Sequence, residues 1–234
     1  MAHLLNETFD KVVCINLVER TDKKQILQEK FDKLGIVVEW YTAVKFDFLP
    51  SLIHPIVDSR LAHFNKTQPY EIGAALSHYH VIKQAMCEGA KNIFIFEDDI
   101  LFQKNFNDRL DSYWKLLPDD WDMLMFYSFM YHILPENIRI SNKWIKSFKS
   151  WSLMAYGMGH KAMVEYLVRQ NAFFTIADKV SFDMQEDKNL KIYSAAPTLC
   201  IPNPGLVSNI RGQNMNYKNN PTVLNLGFSD SNYE

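Results

Sequence analysis

The sequence predicts one α/β domain with a mainly parallel central sheet flanked by helices. Three observations point there. A strand-helix-strand unit opens the chain, apolar runs without polar residues recur, and stretches of helical period separate them. The 234 residues suffice for one large domain or two small ones, and no repeat or linker divides them.

Lys11 to Leu17 (KVVCINL) reads as a buried strand. Thr21 or Asp22 is placed to cap a helix running to Leu34, because Ile26, Leu27, Phe31 and Leu34 share one face. Gly35 is placed to stop it. Ile36 to Tyr41 (IVVEWY) gives the second strand, and residues 45–70 are irregular because Pro50, Pro55 and Pro69 break every period. From Glu71 to Gly89 the residues Ile72, Leu76, Tyr79, Ile82 and Met86 recur at helical spacing. Ile93 to Phe96 then form a strand covered on both faces. A helix follows over Phe106 to Leu117, and a strand over Trp121 to Tyr127. Residues 151–158 form a strand that feeds a helix over 160–170, and Lys191 to Ser194 form a last short strand. The domain covers residues 1–211; residues 212–234, rich in Asn and Ser, are expected to be a loosely held tail.

Composition narrows the function. Hydrophobic residues at 47% and charged residues at 22%, with 16 Phe, 11 Tyr and 5 Trp, describe a globular enzyme with a substantial core. A net charge of −2 argues against wholesale nucleic-acid binding. The cysteines, Cys14, Cys87 and Cys200, are too scattered for a zinc site and suit a reducing compartment. No basic segment leads into a long apolar stretch, so a soluble, cytoplasmic protein is expected.

Chemistry enters at Glu97, Asp98 and Asp99, which end the apolar run IFIF. Adjacent carboxylates repel, and a divalent cation would turn that cost into a gain. Ligands of open α/β sheets bind beyond the carboxyl ends of the strands, and oxygen ligands suit Mg²⁺ or Mn²⁺. The alternative is a solvated turn that caps the next helix.

Four segments, taken in order, carry a resemblance: CINLVERTDKK at 14–24, EIGAALSHYHVIKQA at 71–85, NIFIFEDDILF at 92–102, and the later group WDMLMFY, AYGMGHKAMVEYL and VSFDMQ. The chain resembles a family 25 glycosyltransferase, the group that includes lipooligosaccharide and collagen galactosyltransferases. Ala75, Ile82 and Asn209 depart from the family pattern, which favours Cys, Trp and Asp there, and Lys23 stands where a basic residue is usual. The resemblance implies a GT-A fold and inverting transfer from a UDP-sugar, most often UDP-galactose. It implies Mn²⁺ or Mg²⁺ at the acidic turn, with Asp99 as principal ligand and Glu97 or Asp98 holding metal, ribose or a water. It implies nucleotide contacts at Asn16, Arg20 and Asp22, although Arg20 could instead pair with Glu19 or Asp22. Ser77 and His78 would shape the donor pocket. His78 and His80, two apart on a helix, diverge and make no metal pair.

Asp183 matches the family's late Asp and stands among Val180, Phe182 and Met184, which makes it the choice for the base that takes the acceptor proton. Glu186 and Asp187 compete with it, and a helix N-cap is the structural alternative. The implied acceptor is a glycan, a lipooligosaccharide or a glycoprotein. Arg211, after Asn209, could reach a diphosphate.

Other readings carry less. Gly157-x-Gly159-x-x-Ala162 resembles a dinucleotide-binding turn, but too little chain follows it for a full dinucleotide domain. No GxxxxGK[ST] stretch exists. A divalent-metal phosphohydrolase and a non-catalytic nucleotide-sugar or glycan-binding domain stand as rivals. Over 142–152, Trp144, Phe148 and Trp151 would share a helical face interleaved with Lys143, Lys146 and Lys149, which offers a peripheral membrane contact or an acceptor platform. Packing on the core is the simpler alternative.

Overall fold

Successive side chains of a strand point to opposite faces, and the IFIF run uses this fully. Phe94 and Phe96 enter one apolar cluster and Ile93 and Ile95 enter another, all four wholly buried. The computed structural model describes residues 2–45, 69–130, 138–172, 175–206 and 233–234.

The described elements run in this order: α1 (Leu4–Thr8), β1 (Lys11–Asn16), α2 (Thr21–Leu34), β2 (Glu39–Thr42), α3 (Pro69–Cys87), β3 (Asn92–Glu97), β4 (Ile100–Phe102), α4 (Phe106–Trp114), β5 (Met123–Met125), β6 (Phe129–Met130), β7 (Trp144–Lys146), β8 (Ser150–Trp151), β9 (Ala155–Gly159), α5 (His160–Ala172), α6 (Ala177–Met184), β10 (Ile192–Ala195) and β11 (Cys200–Pro202). The main sheet has seven strands in the order β2-β1-β3-β9-β5-β10-β7. Strands β2, β1, β3, β5 and β10 run one way; β9 and β7 run against them. The α/β class holds, as a mixed sheet with helices on both faces.

One face carries the aromatic cluster, where Phe31 meets Phe96 and Phe102, and Phe94 meets Phe126 at a centroid distance of 4.7 Å. The other face packs Ala75 and Ile82 of α3, Met163 and Tyr166 of α5, and Val180 and Met184 of α6. Ala75 and Ile82, departures from the family pattern, are thus core residues with no exposed surface. No helix among the described residues is long and apolar enough to cross a membrane.

Several expectations are corrected. Neither Thr21 nor Asp22 caps α2: Arg20 holds the N-cap position without a side-chain hydrogen bond, and Asp22 pairs with Arg20 instead. Gly35 does stop the helix, in the left-handed conformation at φ 75°. Residues 142–152 form no helix. They contribute β7 and β8, joined through Lys149 at φ 46°, so the three aromatics never share an exposed face. Trp144 is buried and donates to the Tyr113 carbonyl, while Trp151 stacks on Phe182. Gly157 and Gly159 lie inside strand β9, in agreement with setting the dinucleotide-binding turn aside. The tail is not loose at its end: Tyr233 is buried, and Glu234 exchanges backbone hydrogen bonds of 3.0 and 2.9 Å with Phe102 of β4. Asn209 and Arg211 lie outside the described residues.

Candidate active site

Strands β1 and β3 are parallel neighbours in register Ile15 to Glu97, so their carboxyl ends bring Asn16 beside the acidic turn. Asn16 is buried; its side-chain amide donates to Asp98 Oδ2 at 2.8 Å and to the Arg20 carbonyl at 3.2 Å. The opening turn of α2 points Lys23 into the same place. Its ammonium lies 3.0 Å from Asp98 Oδ1 and 3.2 Å from Asp99 Oδ2, with no exposed side-chain surface. Two carboxylates therefore share one buried internal cation.

Glu97 is held from the opposite face. His78, on α3, places Nε2 3.2 Å from Glu97 Oε1 and Nδ1 2.8 Å from the hydroxyl of Tyr156 on β9. Burial pushes the Asp98 carboxyl up against the pull of Lys23. Burial likewise raises Asp99, from 3.8 to about 6, with Lys23 opposing and Glu97 and Asp98 adding to the rise. Beneath them, burial and the same acids push the Cys14 thiol up, so it stays protonated and inert.

Whether a divalent cation fits depends on which oxygens are spent. Both oxygens of Asp98 are spent, on Lys23 and Asn16. Glu97 spends Oε1 on His78, and Asp99 spends Oδ2 on Lys23. Among the described residues, Glu97 Oε2 and Asp99 Oδ1 remain without a hydrogen bond. No group of three or more His, Cys, Asp or Glu among the described residues is placed to hold a metal ion, so these two oxygens suit only a magnesium-type ion, which takes one or two carboxylates and completes its shell with waters and substrate phosphates.

The other expected site residues are placed differently. Ser77 is buried, donates to the Gly73 carbonyl and accepts from Val44 N, so it anchors the chain after β2. Arg20 and Asp22 form a surface pair at 2.9 Å. Asp183 faces outward on α6, paired with Lys179, because the helical turn sends Val180 and Met184 inward and the acid out; it is not an N-cap. It lines a cleft of about 440 Å³ with Arg169, Thr175, Val180, Glu186 and Asp187.

Lys23 and Tyr156 carry more of the site than their sequence positions disclose, one as a basic residue opening a helix and the other in an apolar strand. Burial raises the Tyr156 phenol, and the charge of Asp178, in the first turn of α6, adds to the rise. Side chains on a helix tilt toward its N-terminus, so a lysine in the first turn of α2, seven positions after Asn16, is the signal that Lys23 turns back toward the strand end.

Residues 9–176 match the family model described as glycosyltransferase family 25 (LPS biosynthesis protein). The chain belongs to glycosyltransferase family 25. Among relatives of this family 25 chain, a glycosyltransferase 25 family member of Aedes aegypti is 27% identical over 133 residues, 49% of this chain and 20% of the relative. One of Drosophila melanogaster is 29% identical over 112 residues, 42% of this chain and 17% of the relative. The human protein named inactive glycosyltransferase 25 family member 3 is 27% identical over 135 residues, 50% of this chain and 21% of the relative. The family 25 chain thus spans about a fifth of the length of these curated relatives. A solved glycosyltransferase involved in glycosylation of the major capsid of PBCV-1 superposes at TM-score 0.45 and 10% identity, over 84% of this chain and 93% of that one.

Proposed function

We propose that this chain is an inverting glycosyltransferase domain that moves a hexose, with galactose the first choice, from a UDP-sugar to an acceptor hydroxyl on a glycan, lipooligosaccharide or glycoprotein. The observation that carries the reading is the pair of carboxylate oxygens left open at the end of β3, on Glu97 and Asp99, two residues apart. Mn²⁺ or Mg²⁺ held by them would supply positive charge to the departing diphosphate.

The rest of the work falls to the chain itself. Lys23 and Asn16 fix Asp98, and Lys23 fixes one oxygen of Asp99, so the turn does not reorganise when the donor arrives. Arg20, at the start of α2, is the candidate for nucleotide contact. A carboxylate on α6 accepts the proton of the attacking hydroxyl. Asp183 is the first choice because it lines the cleft. Its pair with Lys179 is an exposed pair four residues apart on the helix, worth roughly 0.3–0.5 kcal/mol and weak enough to exchange.

The test is slow hydrolysis of a nucleotide-sugar panel with Mn²⁺, Mg²⁺ or chelator, comparing wild type with Asp99→Asn. UDP release from one sugar, dependent on metal and lost in the variant, is the expected result. Phosphate release from simple phosphoesters would identify a phosphohydrolase instead. UDP binding without turnover would identify a non-catalytic binding module. Asp183→Asn and Asp178→Asn, assayed side by side with acceptor, assign the base.

A further inference from the structure

Tyr156 occupies the middle of the sheet, opposite Ile95 of β3 and Met125 of β5, and has no exposed surface. Among the described residues its hydroxyl meets a single polar partner, His78 Nδ1 at 2.8 Å, and the other ring nitrogen meets Glu97 Oε1 at 3.2 Å. His78 is itself buried. A buried hydroxyl proton left without an acceptor costs about 1–3 kcal/mol, and this requirement fixes the direction of the whole chain.

Suppose Nδ1 carried the ring proton. It would donate to the Tyr156 oxygen, and the hydroxyl proton would have no acceptor. In the neutral ring, the bare Nε2 lone pair would also face a carboxylate oxygen. With the proton on Nε2, the Tyr156 hydroxyl donates to Nδ1 and Nε2–H donates to Glu97, so each group is satisfied. Burial raises the Tyr156 phenol well above its ordinary value, so the hydroxyl keeps its proton.

We propose that Tyr156 is a positioning residue. Through the Nε2–H form of His78 it holds Oε1 of Glu97 and turns the second carboxylate oxygen toward the cation and diphosphate. The outward role of Glu97 rests on the transferase reading; the polarity of the Tyr156–His78–Glu97 chain does not. Outer partners of this kind commonly change metal affinity or activity by about 10–100-fold when removed.

The first measurement is the histidine side-chain ¹⁵N spectrum of the whole chain at about pH 8, above the ordinary imidazole range, with His78 assigned from His78→Gln. Wild type should show protonated Nε2 and a bare Nδ1 that accepts a hydrogen bond; in Tyr156→Phe the proton stays on Nε2, facing Glu97, and the Nδ1 resonance moves downfield as the phenol's hydrogen bond is lost. Protonated Nδ1 in wild type, or an Nδ1 resonance untouched by the variant, overturns the proposal. If Tyr156→Phe does not fold, the wild-type spectrum alone decides. The second measurement is Mn²⁺ titration with UDP present, expected to be about 10-fold weaker in Tyr156→Phe, while UDP binding in chelator is unchanged. Equal Mn²⁺ affinity in both proteins overturns the positioning role. A wild type that binds no UDP removes the transferase reading, and the spectra still decide the Tyr156 assignment.

Discussion

Lys23 sets the charge balance of the candidate site. A lysine in the first turn of a helix ordinarily extends into solvent, yet this one has no exposed side-chain surface and serves two carboxylates. Removing one partner of such a buried arrangement costs roughly 3–5 kcal/mol, because the remaining charges keep their desolvation penalty. Lys23→Met should lose about that much near pH 8. The pH dependence has a definite sign. Burial raises the folded pKa of Asp99 from 3.8 to about 6, so in that window the native state holds a proton that the unfolded chain has released. That contribution favours folding at low pH and is lost as pH rises to about 6. Without the ammonium, Asp98 and Asp99 titrate higher still. The stability gap between wild type and Lys23→Met should therefore narrow from about pH 8 to about pH 5. Urea denaturation at both pH values checks this, and a gap independent of pH would contradict the shared-cation arrangement.

Strand β9 shows most clearly what a sequence discloses about an element and what it withholds. Its existence was legible from apolar and small residues, as were α2 with its Gly35 stop and the two-faced strand β3. Its direction was not, because a strand's polarity in the sheet is set by the connection it follows. The long path from β5 through β7 and β8 brings β9 back antiparallel, between β3 and β5. Residues 142–152 misled for a related reason. Trp144, Phe148 and Trp151 carry a helical period by coincidence, while Lys149 and Ser152, at φ 46° and 96°, break the chain into short extended pieces. Side-chain partners between a strand and the helix packed on it, such as Tyr156 with His78, leave no local trace at all. The insertion of β9 also explains Gly157. A Cβ there would lie 2.6 and 2.8 Å from the Phe9 ring and 3.1 Å from Phe94. Phe9 has little room to yield, being wedged among Phe94, Trp114 and Trp121. Gly157→Ala should cost about 1–3 kcal/mol through overpacking. The pair Gly157→Ala with Phe9→Leu should cost less than the two changes summed, and a double-mutant cycle by chemical denaturation measures the difference.

At the scale of the molecule, the acidic turn is braced by distant parts of the chain. Strand β4, which leaves the turn, pairs on one side with β11. Its Phe102 pairs with Glu234, and its neighbour Gln103 bridges to Tyr233. The Tyr233 hydroxyl donates to the Thr198 carbonyl at 2.8 Å and meets the Thr198 hydroxyl at 2.9 Å. Deleting Tyr233 and Glu234 should therefore destabilise the fold by about 3 kcal/mol, the scale of losing a buried aromatic side chain. Tyr233→Phe, which keeps the ring, should lose only about 1 kcal/mol. Thermal unfolding separates the two variants, and an unchanged midpoint in the deletion would show that the docking contributes nothing. The same bracing imposes an order on synthesis. Lys23 and Asn16 have left the ribosome before the carboxylates emerge, so an internal counter-charge already exists when Glu97, Asp98 and Asp99 appear. Both neighbours of β4 come much later. A nascent chain can thus neutralise its acidic turn early yet brace it only after Tyr233 has emerged, so any donor-binding competence that depends on β4 waits for that residue to be made.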